Sequence, residues 1–211
     1  MELVEKKRCV IVAAGVTESE DILKQNIYYD DFVIAADAGY TKLKKTGIEP
    51  DLIVGDFDSS DTPENDTETI VLSPIKDCTD TEYALGEAQK RGFDEILVLG
   101  ALGGRIDHSI ANIILTARFK QNGISVTLAD EHHRIYALCD ETKTFVKSDR
   151  YISVYAFAEP CEVCFEGFYY GNGTVKLSPF DTVGTSNEIT DQTAKLTVSK
   201  GIAVIIESSI K

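Results

Sequence analysis

The stretch GDFDSSD, residues 55–61, sets Asp56, Asp58 and Asp61 within seven positions, directly after the apolar run Leu52-Ile53-Val54. Two carboxylates about 4 Å apart repel by roughly 4 kcal/mol at an effective dielectric near 20, so the cluster needs a cation or open water. Asp56 and Asp58 stand two apart in an extended segment and share a face, with Phe57 turned the other way. Such a pair suits one hard divalent cation. Magnesium takes one or two carboxylates together with phosphate oxygens and water, which fits a nucleotide-handling site. Asp61 reads as a solvated turn residue. A calcium loop is a poor match, because Asp61 stands where that loop needs glycine and Thr67 where it needs glutamate.

Other acids follow apolar runs in the same way: Asp37 after FVIAA, Asp77 and Asp80 after VLSPIK, and Asp107 after VLGALGGRI. Ligands of open α/β sheets bind outside the carboxyl ends of the strands, so strands of one parallel sheet would bring all these carboxylates to one rim. Between them lies GALGGRIDHS. Its glycines let backbone approach phosphate, and Arg105 offers a fork of donors matched to phosphate oxygens. The stretch is neither a Walker A loop nor a dinucleotide fingerprint. Lys76 reads as a second phosphate contact or as a solvated lysine. Taken singly, Asp37, Asp107 and Ser109 read as helix N-caps. His108 reads as a helix-start histidine bonding locally, with a proton carrier as the alternative.

The elements that must position these groups are legible from periodicity. Short apolar runs at 9–15, 32–37, 51–56, 95–104 and 124–130 read as strands buried on both faces, and amphipathic stretches between several of them read as helices. One helix runs from about 38 to 47 with Tyr40 and Leu43 inward. Another starts at TDTE, where Thr79 and Glu82 match a capping box. A third follows Asp107, with Ile110, Ile113, Ile114 and Ala117 as one apolar stripe. The expected fold class is α/β: a doubly wound, mainly parallel sheet over residues 1–140. Beyond about 140 the segments turn short, alternating and rich in β-branched and aromatic residues, so a smaller all-β domain is expected over 145–211.

Composition narrows the function classes. With 211 residues and 43% apolar content the chain can bury a genuine core. A formal charge of −14 argues against nucleic-acid and anionic-membrane binding, which need basic patches. No apolar run approaches a bilayer span, and the N-terminus reads as a strand rather than a signal peptide. Five cysteines without a framework of spacings favour a reducing, cytoplasmic setting. Cys161 and Cys164 form a C-x-x-C, but on a strand positions i and i+3 face opposite ways, which favours ordinary burial over zinc or redox chemistry. The aromatics of EGFYYGN read as packing, with stacking on an aromatic ligand as the alternative.

Four blocks, AADAGYTKLKKTGIEPDLIVGDFDSSD, KDCTDTEYAL, LGALGGRIDHSIANI and GTSNE, resemble in order the thiamine pyrophosphokinases of bacterial type. The resemblance implies a C-terminal β-sandwich, a homodimer, and transfer of pyrophosphate from ATP to the hydroxyethyl group of thiamine. It also implies that residues 1–140 bind ATP and magnesium and that 145–211 bind thiamine. Position by position, it implies that Asp56, Asp58 and Asp80 handle metal and phosphate, and that Asp37, Arg105 and Asp107, with Lys76 beside them, surround ATP. Thr185, Ser186 and Asn187 fall in the thiamine block. Asp80 or Asp107 is the expected base, with Asp58 also in the catalytic group. The chain lacks tryptophan, so an aromatic contact to thiamine falls to Tyr or Phe. The rival readings are a magnesium phosphatase built on DFDSS and a non-catalytic nucleotide or thiamine sensor.

Overall fold

The computed structural model describes residues 8–16, 19–56, 67–73, 75 and 77–209. Asp58, Asp61 and Lys76 lie outside the described residues. The chain divides into two compact units, Met1–Asn112 with Leu128–Glu131, and Ile113–Thr127 with His132–Lys211. Together they give a mixed α/β protein.

In the first unit the chain runs β1 (Arg8–Val12), α1 (Asp21–Asn26), β2 (Asp31–Ala36), α2 (Gly39–Thr46), β3 (Leu52–Gly55), β4 (Glu68–Val71), α3 (Asp80–Lys90) and β5 (Glu95–Leu99). β1 pairs in parallel with β2 and β5, and β3 pairs in parallel with β2 and β4. The resulting order, β4-β3-β2-β1-β5, reverses direction at β1.

Both faces of this sheet are covered, which is why its strands read as unbroken apolar runs. On one face Val10, Val12, Val33, Ala35, Ile53, Leu97 and Leu99 form a buried cluster with Leu23 of α1 and Leu43 of α2, and Tyr40 packs against it. The alternate residues, among them Cys9, Ile11, Ile34, Leu52, Val54, Ile96 and Val98, are buried too. Ala84, Leu85 and Ala88 of α3 are fully buried, and α3 packs on β1, β2 and β3. β4 was not read as a strand from sequence, because this four-residue edge strand is only partly buried and just Ile70 and Val71 of it are apolar.

Two elements contribute to both units: α4 (Ile106–Gln121) and β6 (Ser125–Ala129). The apolar stripe expected on α4 does not hold together. Ala117 is buried, with Asn112, Leu115, Thr116 and Phe119, whereas Ile110 and Ile114 are exposed, as is Ile106. The helix is apolar on two sides, so period alone could not choose between them.

The second unit contains β7 (His133–Val146), β8 (Arg150–Glu166), β9 (Gly173–Leu177) and β10 (Thr193–Ser209). They form an antiparallel sheet in the order β7-β10-β8-β9. Each long strand changes the parity of its buried residues along its length. β8 buries Ile152, Val154 and Ala156, then Cys161, Val163 and Phe165; β10 buries Ala194, Leu196 and Val198, then Ala203 and Ile205. Such a switch needs irregular backbone. The pairing register shifts between Val198 and Ile202, and Asp140, Ala158 and Gly201 take left-handed φ values of 51°, 63° and 76°. Both halves of the strands thereby feed one core, in which Phe168 meets Phe145 and Phe165 edge to face. Cys161 is buried and Cys164 only partly so, as opposite faces require, and both are free thiols. Among the described residues no helix is long and apolar enough to cross a membrane.

Gly39 is where α2 meets β1: a Cβ there would lie 1.8 Å from the carbonyl oxygen of Val12. Gly39→Ala must push the helix off the strand. A loss of about 1–3 kcal/mol is expected, read as a lower urea midpoint with an unchanged slope.

Candidate active site

A cavity of about 380 Å³ opens in the first unit at the carboxyl ends of β1, β2 and β5. That is the point where the strand order reverses and where ligands of open α/β sheets bind. Its walls are the 13–16 segment after β1, Asp37 after β2, Thr79, Asp80 and Thr81 at the start of α3, and the 100–105 loop after β5; His108 and Asn112 of α4 complete it.

Asp37 holds a left-handed φ of 53°, a conformation that costs a non-glycine residue on the order of 1 kcal/mol. The backbone on both sides enforces it: Asp37 N–H donates to the Val54 carbonyl at 2.8 Å, and the Asp37 carbonyl accepts from Tyr40 N–H at 3.2 Å. Asp37 is not a helix cap, since the cap position of α2 belongs to Ala38. Asp80 is fixed by α3. The Thr79 hydroxyl accepts from Glu82 N–H at 3.1 Å, so the cap read from TDTE is present and sets Asp80 at the first helical position. A carboxylate there is favoured by the helix dipole. Its Oδ1 is sealed from solvent.

Arg105 and Asp107 form a two-pronged pair: Nη2 to Oδ2 at 2.6 Å and Nε to Oδ1 at 3.2 Å. Asp107 also accepts from His108 N–H at 3.0 Å. The Arg105 hydrogen bond comes first among the influences that hold the Asp107 carboxyl below its ordinary range. Asp107 lies inside the first turn of α4 rather than at its cap. Asn112, buried in α4, donates to the Ala101 carbonyl at 2.8 Å and ties the helix to the glycine loop. Asp56 follows Gly55 at the end of β3, half-buried, and is not among the residues that line the cavity. Among the described residues no group of three or more His, Cys, Asp or Glu is arranged to hold a metal.

Thr185, Ser186 and Asn187 belong to the second unit. Ser186 is left-handed, at φ 56°, and its N–H donates to the Ser153 hydroxyl at 3.0 Å. The Thr185 hydroxyl donates to the Thr182 carbonyl at 2.7 Å and meets the Tyr155 hydroxyl at 2.8 Å. Asn187 is buried and acts as a clamp. Its Oδ1 accepts from the N–H groups of Tyr170 and Glu188 at 2.9 and 3.0 Å, and its Nδ2 donates to the Tyr170 carbonyl at 2.9 Å. It borders a second cavity of about 280 Å³, lined by Phe165, Tyr170, Val175, Leu177 and Val183. Phe168 is core, as expected of EGFYYGN, but Tyr169 and Tyr170 are exposed and stacked edge to face at 4.8 Å.

Of the acids that sequence reasoning set on one rim, Asp37 and Asp80 line the cavity together with Arg105, whereas Asp56, Asp77 and Asp107 do not. Sequence reasoning missed the 13–16 segment and Asn112. The signal for the first was available: three small residues, Ala13, Ala14 and Gly15, directly after a buried strand. Asn112 in SIANII had only its polarity within an apolar helix to mark it.

Comparison with known proteins is consistent with this geometry. The family described as "Thiamin pyrophosphokinase, catalytic domain" matches residues 23–128. A curated thiamine pyrophosphokinase from Bacillus subtilis (strain 168) is 30% identical over 187 residues, covering 83% of this chain and 86% of that one. The crystal structure of the thiamine pyrophosphokinase from Bacillus subtilis superposes with a TM-score of 0.87 at 27% identity, covering 97% of this chain and 100% of that one. That of the Geobacillus thermodenitrificans thiamin pyrophosphokinase gives 0.83 at 25% identity, covering 96% and 97%.

The clamp makes a prediction independent of substrate. Asn187→Ala leaves the N–H and carbonyl of Tyr170 without their side-chain partner, and a loss of about 1–3 kcal/mol in unfolding free energy is expected. Denaturant titration of the two proteins measures it.

Proposed function

The chain belongs to the thiamin pyrophosphokinase family, and from that premise we propose how its residues divide the work. The protein transfers pyrophosphate from ATP to the hydroxyethyl group of thiamine, releasing AMP and thiamine diphosphate. The phosphatase and sensor readings are not favoured. We assign ATP to the cavity of the first unit. One observation carries that assignment: the switch point of the parallel sheet gathers Asp37, Asp80 and Arg105 around a single opening.

In this reading Arg105 faces the phosphates, and Asp107 orients its guanidinium through the two-pronged pair. Both Asp107 oxygens are occupied and its carboxyl is held acidic, so it is a poor proton acceptor. That leaves Asp80 as the carboxylate to take the thiamine hydroxyl proton. Asp37 holds its strained geometry at the same rim, and Lys76 is a second phosphate contact.

The donor set at the rim is hard oxygen, which suits magnesium, and Asp80 with the Asp56 and Asp58 pair would hold it. When bound, the ion neutralises phosphate charge and orients the reacting groups. Phosphoryl chemistry asks little more of the protein than positioning and electrostatic stabilisation.

We further read the parallel unit as doubly wound and the antiparallel unit as a β-sandwich. Residues 1–140 would serve ATP and magnesium and 145–211 thiamine. Ser186 and Thr185 would offer exposed hydroxyls to thiamine, while Asn187 holds the Tyr169–Tyr170 turn beside them. The exposed stripe of Ile106, Ile110 and Ile114 suits a second copy of the chain, in keeping with a homodimer in the cytoplasm.

Three experiments test the assignment. Purified protein with ATP, magnesium and thiamine is expected to release AMP in step with thiamine diphosphate; ADP or free phosphate would contradict it. Asp80→Asn is expected to lower turnover at least about 100-fold while lowering the melting temperature by no more than about 4 °C, the loss of one helix-dipole charge, and normal turnover would remove Asp80 from the mechanism. Ser186→Ala is expected to raise the KM for thiamine more than that for ATP; equal effects would move this block away from the acceptor.

A further inference from the structure

Lys42 lies on α2, in a part of the sequence with nothing to distinguish it from a solvated lysine. Its ammonium is turned inward instead. Nζ donates to the carbonyl of Ala13 at 2.9 Å and to the carbonyl of Gly15 through a second, short hydrogen bond. The slot it fills is bounded by glycine. A Cβ on Gly100 would lie 2.9 Å from Lys42 Nζ and 2.7 Å from the Ala13 oxygen, and a Cβ on Gly15 would lie 2.3 Å from the Gly100 oxygen. The segments after β1 and β5 therefore touch backbone to backbone, and the ammonium fastens the first of them through two of its carbonyls.

Peptide planarity sets what this fastening does on the other side. In a trans peptide the C=O and N–H point in opposite directions, and the chain has no cis peptide among the described residues. The carbonyls of Ala13 and Gly15 face Lys42, so the N–H groups of Ala14 and Val16 face away from it. Residues 13–16 line the cavity, and Lys42 does not. Backbone N–H groups that face a cavity from one irregular segment can serve an anion as hydrogen-bond donors.

We propose that Lys42 is a positioning residue: by holding the carbonyls of Ala13 and Gly15 it aims the N–H groups of Ala14 and Val16 at phosphate oxygens of a bound nucleoside triphosphate. This rests on the reading of the cavity as the ATP site. Lys42 touches no substrate; it acts through the backbone. Burial also sets it apart from a surface lysine, lowering its pKa to about 8. Ala13, Ala14 and Gly15 bring no side-chain hydrogen bonds of their own, so Lys42 adds to the backbone contacts that hold this segment, the Ala13 N–H bond to the Leu99 carbonyl among them.

The test uses the whole protein, a non-hydrolysable ATP analogue with magnesium, and adenosine as the phosphate-free probe. In the unaltered protein the amide proton resonances of Ala14 and Val16 are expected to move downfield on saturation with the ATP analogue and to stay in place with adenosine. Lys42→Met is expected to abolish those shifts and to weaken the ATP analogue about tenfold or more, the equivalent of roughly 1.4 kcal/mol, while adenosine affinity changes less than about twofold. Amides of the unaltered protein that ignore the phosphates would overturn the proposal, whatever the fate of the variant. So would equal losses for both ligands in Lys42→Met. Thr81→Trp, which fills the cavity from its opposite wall, separates the two readings. If it still binds the ATP analogue normally, the cavity is not the ATP site. If it blocks binding while the Ala14 and Val16 amides stay silent in the unaltered protein, the Lys42 proposal alone fails.

Discussion

Everything at the candidate site depends on the reversal of strand order at β1. With β2 on one side and β5 on the other, the connections leaving the carboxyl ends of these strands diverge, and the sheet cannot close over its own rim. The gap that results is the cavity. Side chains and backbone groups from four separate stretches of sequence meet there because parallel strands all end on that side. The cavity walls are kept in place by backbone contact: Gly39 against Val12, and Gly15 against Gly100. Neither contact tolerates a Cβ, so Gly39 and Gly15 are set by close approach, and Gly100 by approach together with its left-handed φ of 67°.

Charge is the second constraint. A chain of formal charge −14 that handles a polyanion must localise positive potential at the site. The structure offers few cationic groups there. Arg105 is one, held in a fixed fork by Asp107. Helix α3 contributes the positive end of its dipole, capped by Thr79 and occupied by Asp80. The acids at the rim, which repel one another and would repel phosphate, make chemical sense with a divalent cation among them. Left-handed backbone at a non-glycine residue occurs four times among the described residues: twice at bends of long strands, Asp140 and Ala158, and twice outside the strands, at Asp37 and Ser186. In the first pair the strain lets strands turn around a core. In the second it aims residues at a surface.

Much of this was legible in the sequence because parallel strands buried on both faces leave long apolar runs, and because TDTE announces a helix start whose geometry is almost fully local. Asp37, Asp80 and Arg105 could be placed on one rim from those signals alone. What escaped has a common physical character. β4 is a short edge strand, only partly buried, and just Ile70 and Val71 of its four residues are apolar. α4 carries apolar residues on two sides, so its period did not reveal that Leu115 and Phe119 would be buried and Ile110 and Ile114 left out. The pairing of the Asn187 amide with Tyr170 is long-range, and spacing cannot encode it. Lys42 escaped for the same reason, since its partners lie 27 and 29 residues away.

The central claim is that the cavity at the carboxyl ends of β1, β2 and β5 holds the nucleotide. A crystal structure with a non-hydrolysable ATP analogue, magnesium and thiamine tests it most directly. The account predicts the triphosphate lying between the 13–16 segment and Arg105, with a metal ion within coordination distance of Asp80. A triphosphate seated elsewhere, or a metal ion remote from Asp80, would contradict it.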